Sequence, residues 1–124
     1  MAEFLGEDNR HLPRTKTSEI AYGRYGSNTF VKQTAIVCNI ITSIIVPANP
    51  NRVSLILLNN SPSAVYVGFT PDVTTQFGLL LTANGGLLSL NINDEGEAVS
   101  TEIYGTTSLD GRNLTLIEVI LEAL

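Results

Sequence analysis

From Thr34 onward, apolar and polar residues follow a two-residue period cut by clusters of turn formers, the pattern of short strands with one buried face. Ile36, Cys38, Ile40, Ile44 and Val46 share one parity, interrupted by Thr42, while Val37, Ile41 and Ile45 share the other. This β-branched density predicts one long strand over 35–46, covered at least partly on both faces and stopped at Pro47. Residues 53–58 form an apolar run of strand length, and Val65, Val67 and Phe69 alternate with Tyr66, Gly68 and Thr70. Between them lies Asn59-Asn60-Ser61-Pro62-Ser63, so the two runs predict a β-hairpin in the middle of the core.

Further on, Pro71 opens a loop that Gly78 closes, and 79–82 reads as a short strand. Ala83-Asn84-Gly85-Gly86 is a turn whose Asn-Gly pair accepts positive φ. Leu88, Leu90 and Ile92 alternate with Ser89, Asn91 and Asn93 in the cleanest half-buried strand of the chain. A turn at 93–97 follows, then a strand in which Val99, Thr101 and Ile103 alternate with polar neighbours. Asp110-Gly111 centres a hairpin-type turn. The last segment, 114–124, fits two patterns: Leu114, Ile117 and Leu121 make a helical stripe, and Ile117, Val119 and Leu121 make a strand face. The Asp-Gly turn and the β-branched content favour the strand. About seven short strands between turn signals predict an all-β chain, an antiparallel β-sandwich or barrel with an extended N-terminal arm.

Length and composition narrow this picture. A chain of 124 residues is one domain's worth and buries a core without staples. The single cysteine, Cys38, excludes an intrachain disulfide framework and reads as a small buried hydrophobe. No apolar run reaches the roughly 20 residues of a membrane helix, and the N-terminus lacks a signal-peptide layout. The expectation is a soluble protein made in a cytoplasm, with no membrane partner.

The net charge of −5 conceals an asymmetry. Residues 10–32 carry five of the seven cations and one anion, Glu19, whereas the chain beyond has two cations against eight acids, a net of −6. Residues 1–33 also hold no sustained apolar period, and they contain Gly6, Pro13, Gly23 and Gly26. The sequence therefore divides into an arm, 1–33, and a β-sandwich domain, 34–124. An acidic body argues against a nucleic-acid groove; a basic arm argues for an acidic partner surface. Arg10, Arg14, Lys16, Tyr22, Arg24, Tyr25 and Lys32 are the candidate contacts, tyrosine and arginine being enriched in binding hot spots. The plain alternative is a leader whose tyrosines lie on the domain's own surface.

Candidate chemistry changes the picture little. The one histidine, His11, lies in the arm, a poor place for a relay that needs a fixed imidazole. His11 and Cys38 do not make a zinc set, and Asp94, Glu95 and Glu97 do not match a calcium loop. The expectation is no enzyme, no metal and no cofactor.

Asn49-Pro50-Asn51-Arg52 before an apolar strand, then Asn59-Asn60-Ser61, then Val65-Tyr66-Val67-Gly68, resembles small β-sandwich structural proteins of tailed bacteriophages. Gly85-Gly86-Leu87-Leu88-Ser89-Leu90 and Ile103-Tyr104-Gly105 extend the resemblance over roughly residues 44–120. It implies a virion component without catalysis: a capsid decoration (cement) protein on the outer shell, or a neck, tail or fibre accessory protein with a receptor- or carbohydrate-binding sandwich. The expected partners are the major capsid protein, reached through the arm, and further copies of the chain, a homotrimer. Ile56 and Leu58, on the outer face of the central strand, are the candidate oligomer contacts.

Overall fold

The computed structural model describes residues 28–122. Eight strands form: β1 (Thr29–Cys38), β2 (Ser43–Val46), β3 (Arg52–Asn59), β4 (Val65–Gly68), β5 (Leu79–Leu81), β6 (Leu87–Asn91), β7 (Ile103–Thr107) and β8 (Arg112–Leu121). They make two four-stranded antiparallel sheets, β1-β8-β3-β6 (sheet I) and β2-β7-β4-β5 (sheet II). The chain is thus a β-sandwich rather than a closed barrel. The pairings β1·β8, β2·β7, β3·β6 and β4·β5 describe one long two-stranded ribbon folded back and forth between two layers. That is a jelly roll.

Successive strands here change sheets at every step except β4 to β5, and this overturns the expected central hairpin. β3 pairs with β6 and β8, and β4 pairs with β5 and β7. The Asn59–Ser63 link carries the chain across the sandwich instead of folding it back. The expected strand over 35–46 likewise breaks in two. Asn39 Oδ1 accepts from Gly111 N (2.9 Å), Ile40 N donates to Asp110 Oδ1 (2.7 Å) and Ile40 O accepts from Thr106 Oγ1 (2.7 Å). These bonds hold the bend through which the ribbon changes sheets, and Thr42, where the parity broke, is its last residue. The strand expected from Val99 starts only at Ile103. Residues 92–100 form a short helix, α1 (Ile92–Glu95), and a 3₁₀ turn, η1 (Gly96–Ser100). Asn91 Oδ1 caps α1 by accepting from Asn93 N and Asp94 N, competing with strand geometry at that point. The C-terminal segment is a strand, β8, as its β-branched content favoured.

β1 starts at Thr29, inside the stretch assigned to the arm, and pairs with β8 along its whole length. The core between the sheets contains Leu55, Leu57, Leu114 and Leu116 from sheet I and Val46, Val65, Val67 and Ile103 from sheet II.

A buried polar cluster sits at each end of this core. At one, the Arg52 guanidinium is 1% exposed. Its Nε donates to Val99 O (2.7 Å), its Nη1 to Pro47 O (3.1 Å) and Glu118 Oε2 (2.8 Å), and its Nη2 to Thr101 O (2.8 Å). At the other, the wholly buried Asn59 donates from Nδ2 to Ser63 O, Leu81 O and Thr82 O at 2.9–3.1 Å. Its Oδ1 accepts from Ser61 N (3.0 Å) and Ser61 Oγ (2.7 Å). The two clusters tie the loops of each end to the strands, so the sheets are held in register from both sides.

Cys38 ends β1 pointing into this core, as its isoleucine neighbours suggested, and is fully buried. Burial pushes its thiol up to about 11, against a weaker lowering by the Asn39 carbonyl. At pH 8 its thiolate fraction is then about a hundredfold below that of an exposed cysteine. A thiol reagent should label the native protein only slowly, and the urea-unfolded protein at once. Immediate stoichiometric labelling of the native form would contradict the burial. Because the folded thiol holds its proton more tightly than the unfolded one, this group stabilises the fold fully below pH 9 and loses that effect as pH rises to about 11.

Candidate interaction surface

The inward parities of both sheets build the core, so the outward parities decide what the molecule shows to others. On sheet I the register stacks four rows across the outer face beyond Thr29 and Leu121, which pair at its end. Val31, Val119, Ser54 and Asn91 form one, and Gln33, Ile117, Ile56 and Ser89 the next. Ala35, Thr115, Leu58 and Leu87 form the third, and Val37 and Asn113 begin the fourth. None of these residues is charged. The middle is apolar, Ile117 and Ile56 with Val119 and Leu58 beside them; exposed Val31, Val37 and Leu87 carry the apolar surface out to both edge strands, where Gln33, Asn113, Ser89 and Asn91 interrupt it. Asn60 Nδ2 donates to Thr115 Oγ1 at the upper margin, fixing that polar edge. A contiguous, uncharged and largely apolar surface of this kind marks a protein-binding face.

Sheet II differs. The loop between β4 and β5, residues 69–78, folds back over its outer face. A Cβ on Gly68, which faces outward on β4, would meet Val73 Cγ2 at 2.5 Å, and Val73 is 2% exposed without belonging to the main core. Thr42 Oγ1 donates to Val73 O (2.8 Å) and pins the loop across the sheet. Glycine at 68 is what lets Val73 seat there. The same face carries Tyr104, whose Oη donates to Glu102 Oε2 (2.5 Å); that bond, with lesser desolvation and Coulomb effects, raises the phenol's pKa above its ordinary value. Among the described residues, the outer face of sheet II is therefore partly covered by its own loop and edged with charge, and the outer face of sheet I is uncovered and uncharged.

Both sequence-derived oligomer contacts lie on the bare face. Ile56 is 37% exposed and Leu58 is half-buried among its strand neighbours. Reading the sequence strand by strand missed their partners Val31, Leu87, Ile117 and Val119. The parity of 113, 115, 117, 119 and 121, free of charge at every position, was the available signal. Lys32 stands on β1 opposite Glu118, on the inward parity and exposed at the sheet edge. Arg10, Arg14, Lys16, Tyr22, Arg24 and Tyr25 lie outside the described residues. Phe77 is 64% exposed in the 69–78 loop.

Other clusters carry less. An open cleft lined by Asn39, Ile40, Ile41, Ser43 and Asp110 has its one carboxylate already engaged by Ile40 N. Among the described residues no group of three His, Cys, Asp or Glu side chains is placed to hold a metal ion, and no helix is long and apolar enough to cross a membrane. No family model, curated protein or solved structure matches this chain.

Proposed function

We propose that this chain is a virion structural protein, a capsid decoration protein of the kind tailed bacteriophages carry on their shells. Its body assembles through the outer face of sheet I, and its cationic leader, through Arg10, Arg14, Lys16, Tyr22, Arg24 and Tyr25, engages the major capsid protein. The observation that carries this reading is the uncharged, apolar-centred sheet face on an otherwise acidic body. Such a face suits burial against protein, and a jelly roll offers it on a rigid frame. The fold itself is only an analogy, since jelly rolls serve viral capsids and lectins alike. Entry of the chain at Thr29, on the edge strand β1, places the leader's attachment beside that face. Cross-bridging of shell subunits by leader and body would raise the barrier to shell disassembly.

The test uses shells depleted of this protein. The full chain should cosediment with them, and added salt should weaken the binding, because the leader's attraction is electrostatic. A form starting at residue 28 should keep its cooperative melt and lose the binding. The cut belongs there and not at residue 33, since removing 29–33 would strip half of β1 from β8. Undiminished binding by the shortened form would end the reading. One observation favours a glycan- or receptor-binding role on a neck, tail or fibre instead, namely the exposed Phe77; a glycan array without hits would remove it.

A further inference from the structure

We infer that the outer face of sheet I is occupied by the same face of a second copy of this chain, in a twofold, sheet-on-sheet pair. This rests on the reading of that face as an assembly surface and names its partner. Three observations select a copy. The first is charge. Every acidic side chain of the described residues lies elsewhere: Asp72 in the 69–78 loop, Asp94, Glu95 and Glu97 in α1 and η1, Glu102 and Asp110 in loops, Glu118 inside, and Glu122 past β8. Two copies meeting through either loop end, or through sheet II, bring carboxylates of like sign together. Through sheet I they bring none.

The second is size. Four strands about 4.8 Å apart, at about 3.3 Å per residue, give the face roughly 500 Å² in plan. That is of the order of the about 800 Å² each partner buries in a standard interface, and far more than a peptide side chain or sugar needs. The third is shape. Among the described residues no loop folds over the face, and sheets pack face to face with their strands aligned. A surface that pairs with itself closes as a twofold, residue i against j and j against i, so Ile56, Ile117, Leu58 and Val119 of both copies form the shared centre.

The full chain should sediment as a dimer at micromolar concentration, and raised salt should not weaken it, since no ion pair holds the face and salt screens the repulsion between two acidic copies. Ile56→Lys should raise that constant about a hundredfold or more, because each copy would bring a charge into the apolar centre. The native melt should survive, Ile56 being partly exposed. Leu58→Lys is the second variant should the first fail to fold, and Thr75→Lys, on the opposite layer, should leave the dimer intact. A monomer at high micromolar concentration, a trimer, or a dimer indifferent to both lysine variants would overturn the inference. A monomer that still binds shells through its leader removes the second copy and leaves the proposed function standing; a dimer that fails to bind shells does the reverse.

Discussion

Replacing Arg52 by methionine should cost about 3–5 kcal/mol, the loss expected when one partner of a buried ion pair is removed and the other is stranded. For a domain of this size that is a large share of the about 5–15 kcal/mol that holds it folded. The cost has two parts. Glu118, 6% exposed, keeps its carboxylate without a counter-charge. The carbonyls of Pro47, Val99 and Thr101 also lose their donor. The parts separate in a cycle. Arg52→Met with Glu118→Leu removes the stranded charge and leaves the three carbonyls, so it should be more stable than Arg52→Met alone. Glu118→Gln keeps an acceptor of the same shape and should cost least, roughly 1–2 kcal/mol. Urea unfolding midpoints give the order: wild type, Glu118→Gln, the double variant, Arg52→Met. An Arg52→Met protein within about 1 kcal/mol of wild type would mean that the cluster is not holding the β2–β3 loop and η1 to sheet I.

That cluster shows where sequence reading stops. Proline, glycine and asparagine marked nearly every break between strands, and the period-two faces of β4 and β6 were legible as written, while β3 read as a continuous apolar run and β8 as a strand favoured over a helix. The pairing was not. Of all consecutive strands only β4 and β5 pair, so turn chemistry located the corners without saying which layer the chain enters next. β1 and β8 are partners from opposite ends of the sandwich domain, a contact no local pattern encodes. Arg52 was counted as one of two cations of the body, when it is the most deeply buried charge described. Nothing in its neighbours distinguishes it from a surface arginine until the β2–β3 loop and the β6–β7 connection converge on it. The Asn49-x-x-Arg52, Asn59-x-Ser61 and Gly85-Gly86 patterns that carried the resemblance turn out to be fold-holding groups: they supply the two polar clusters and the turn beside one of them. They speak to architecture. The assembly face is carried by residues that belong to none of those patterns.

Asn59 is the second place where one side chain should matter most. Asn59→Leu keeps most of the volume and removes every side-chain bond. Three carbonyls, Ser63 O, Leu81 O and Thr82 O, lose the amide that donated to them, and Ser61 loses the oxygen that bound its N–H and its hydroxyl. Ser63 O keeps the Ser61 hydroxyl and Thr82 O keeps Gly86 N, so at about 1–3 kcal/mol for each group left buried and unpaired the variant should lose about 2–4 kcal/mol. Asn59→Asp is the sharper test. It keeps the oxygen for Ser61 and turns an ionised oxygen toward carbonyls, so at neutral pH it should be worse than leucine. Burial raises the pKa of such a carboxyl, and a group with a raised folded pKa stabilises below its unfolded value and destabilises as pH climbs through the folded one. Towards pH 4 the protonated acid can donate to one carbonyl, and the gap between the aspartate and leucine variants should close or reverse. Measuring that gap, rather than either stability alone, cancels the titration of the chain's other acids. A gap that stays constant from pH 7 to pH 4 would show that the side chain at position 59 reaches water, and that the β3–β4 link is not built around it.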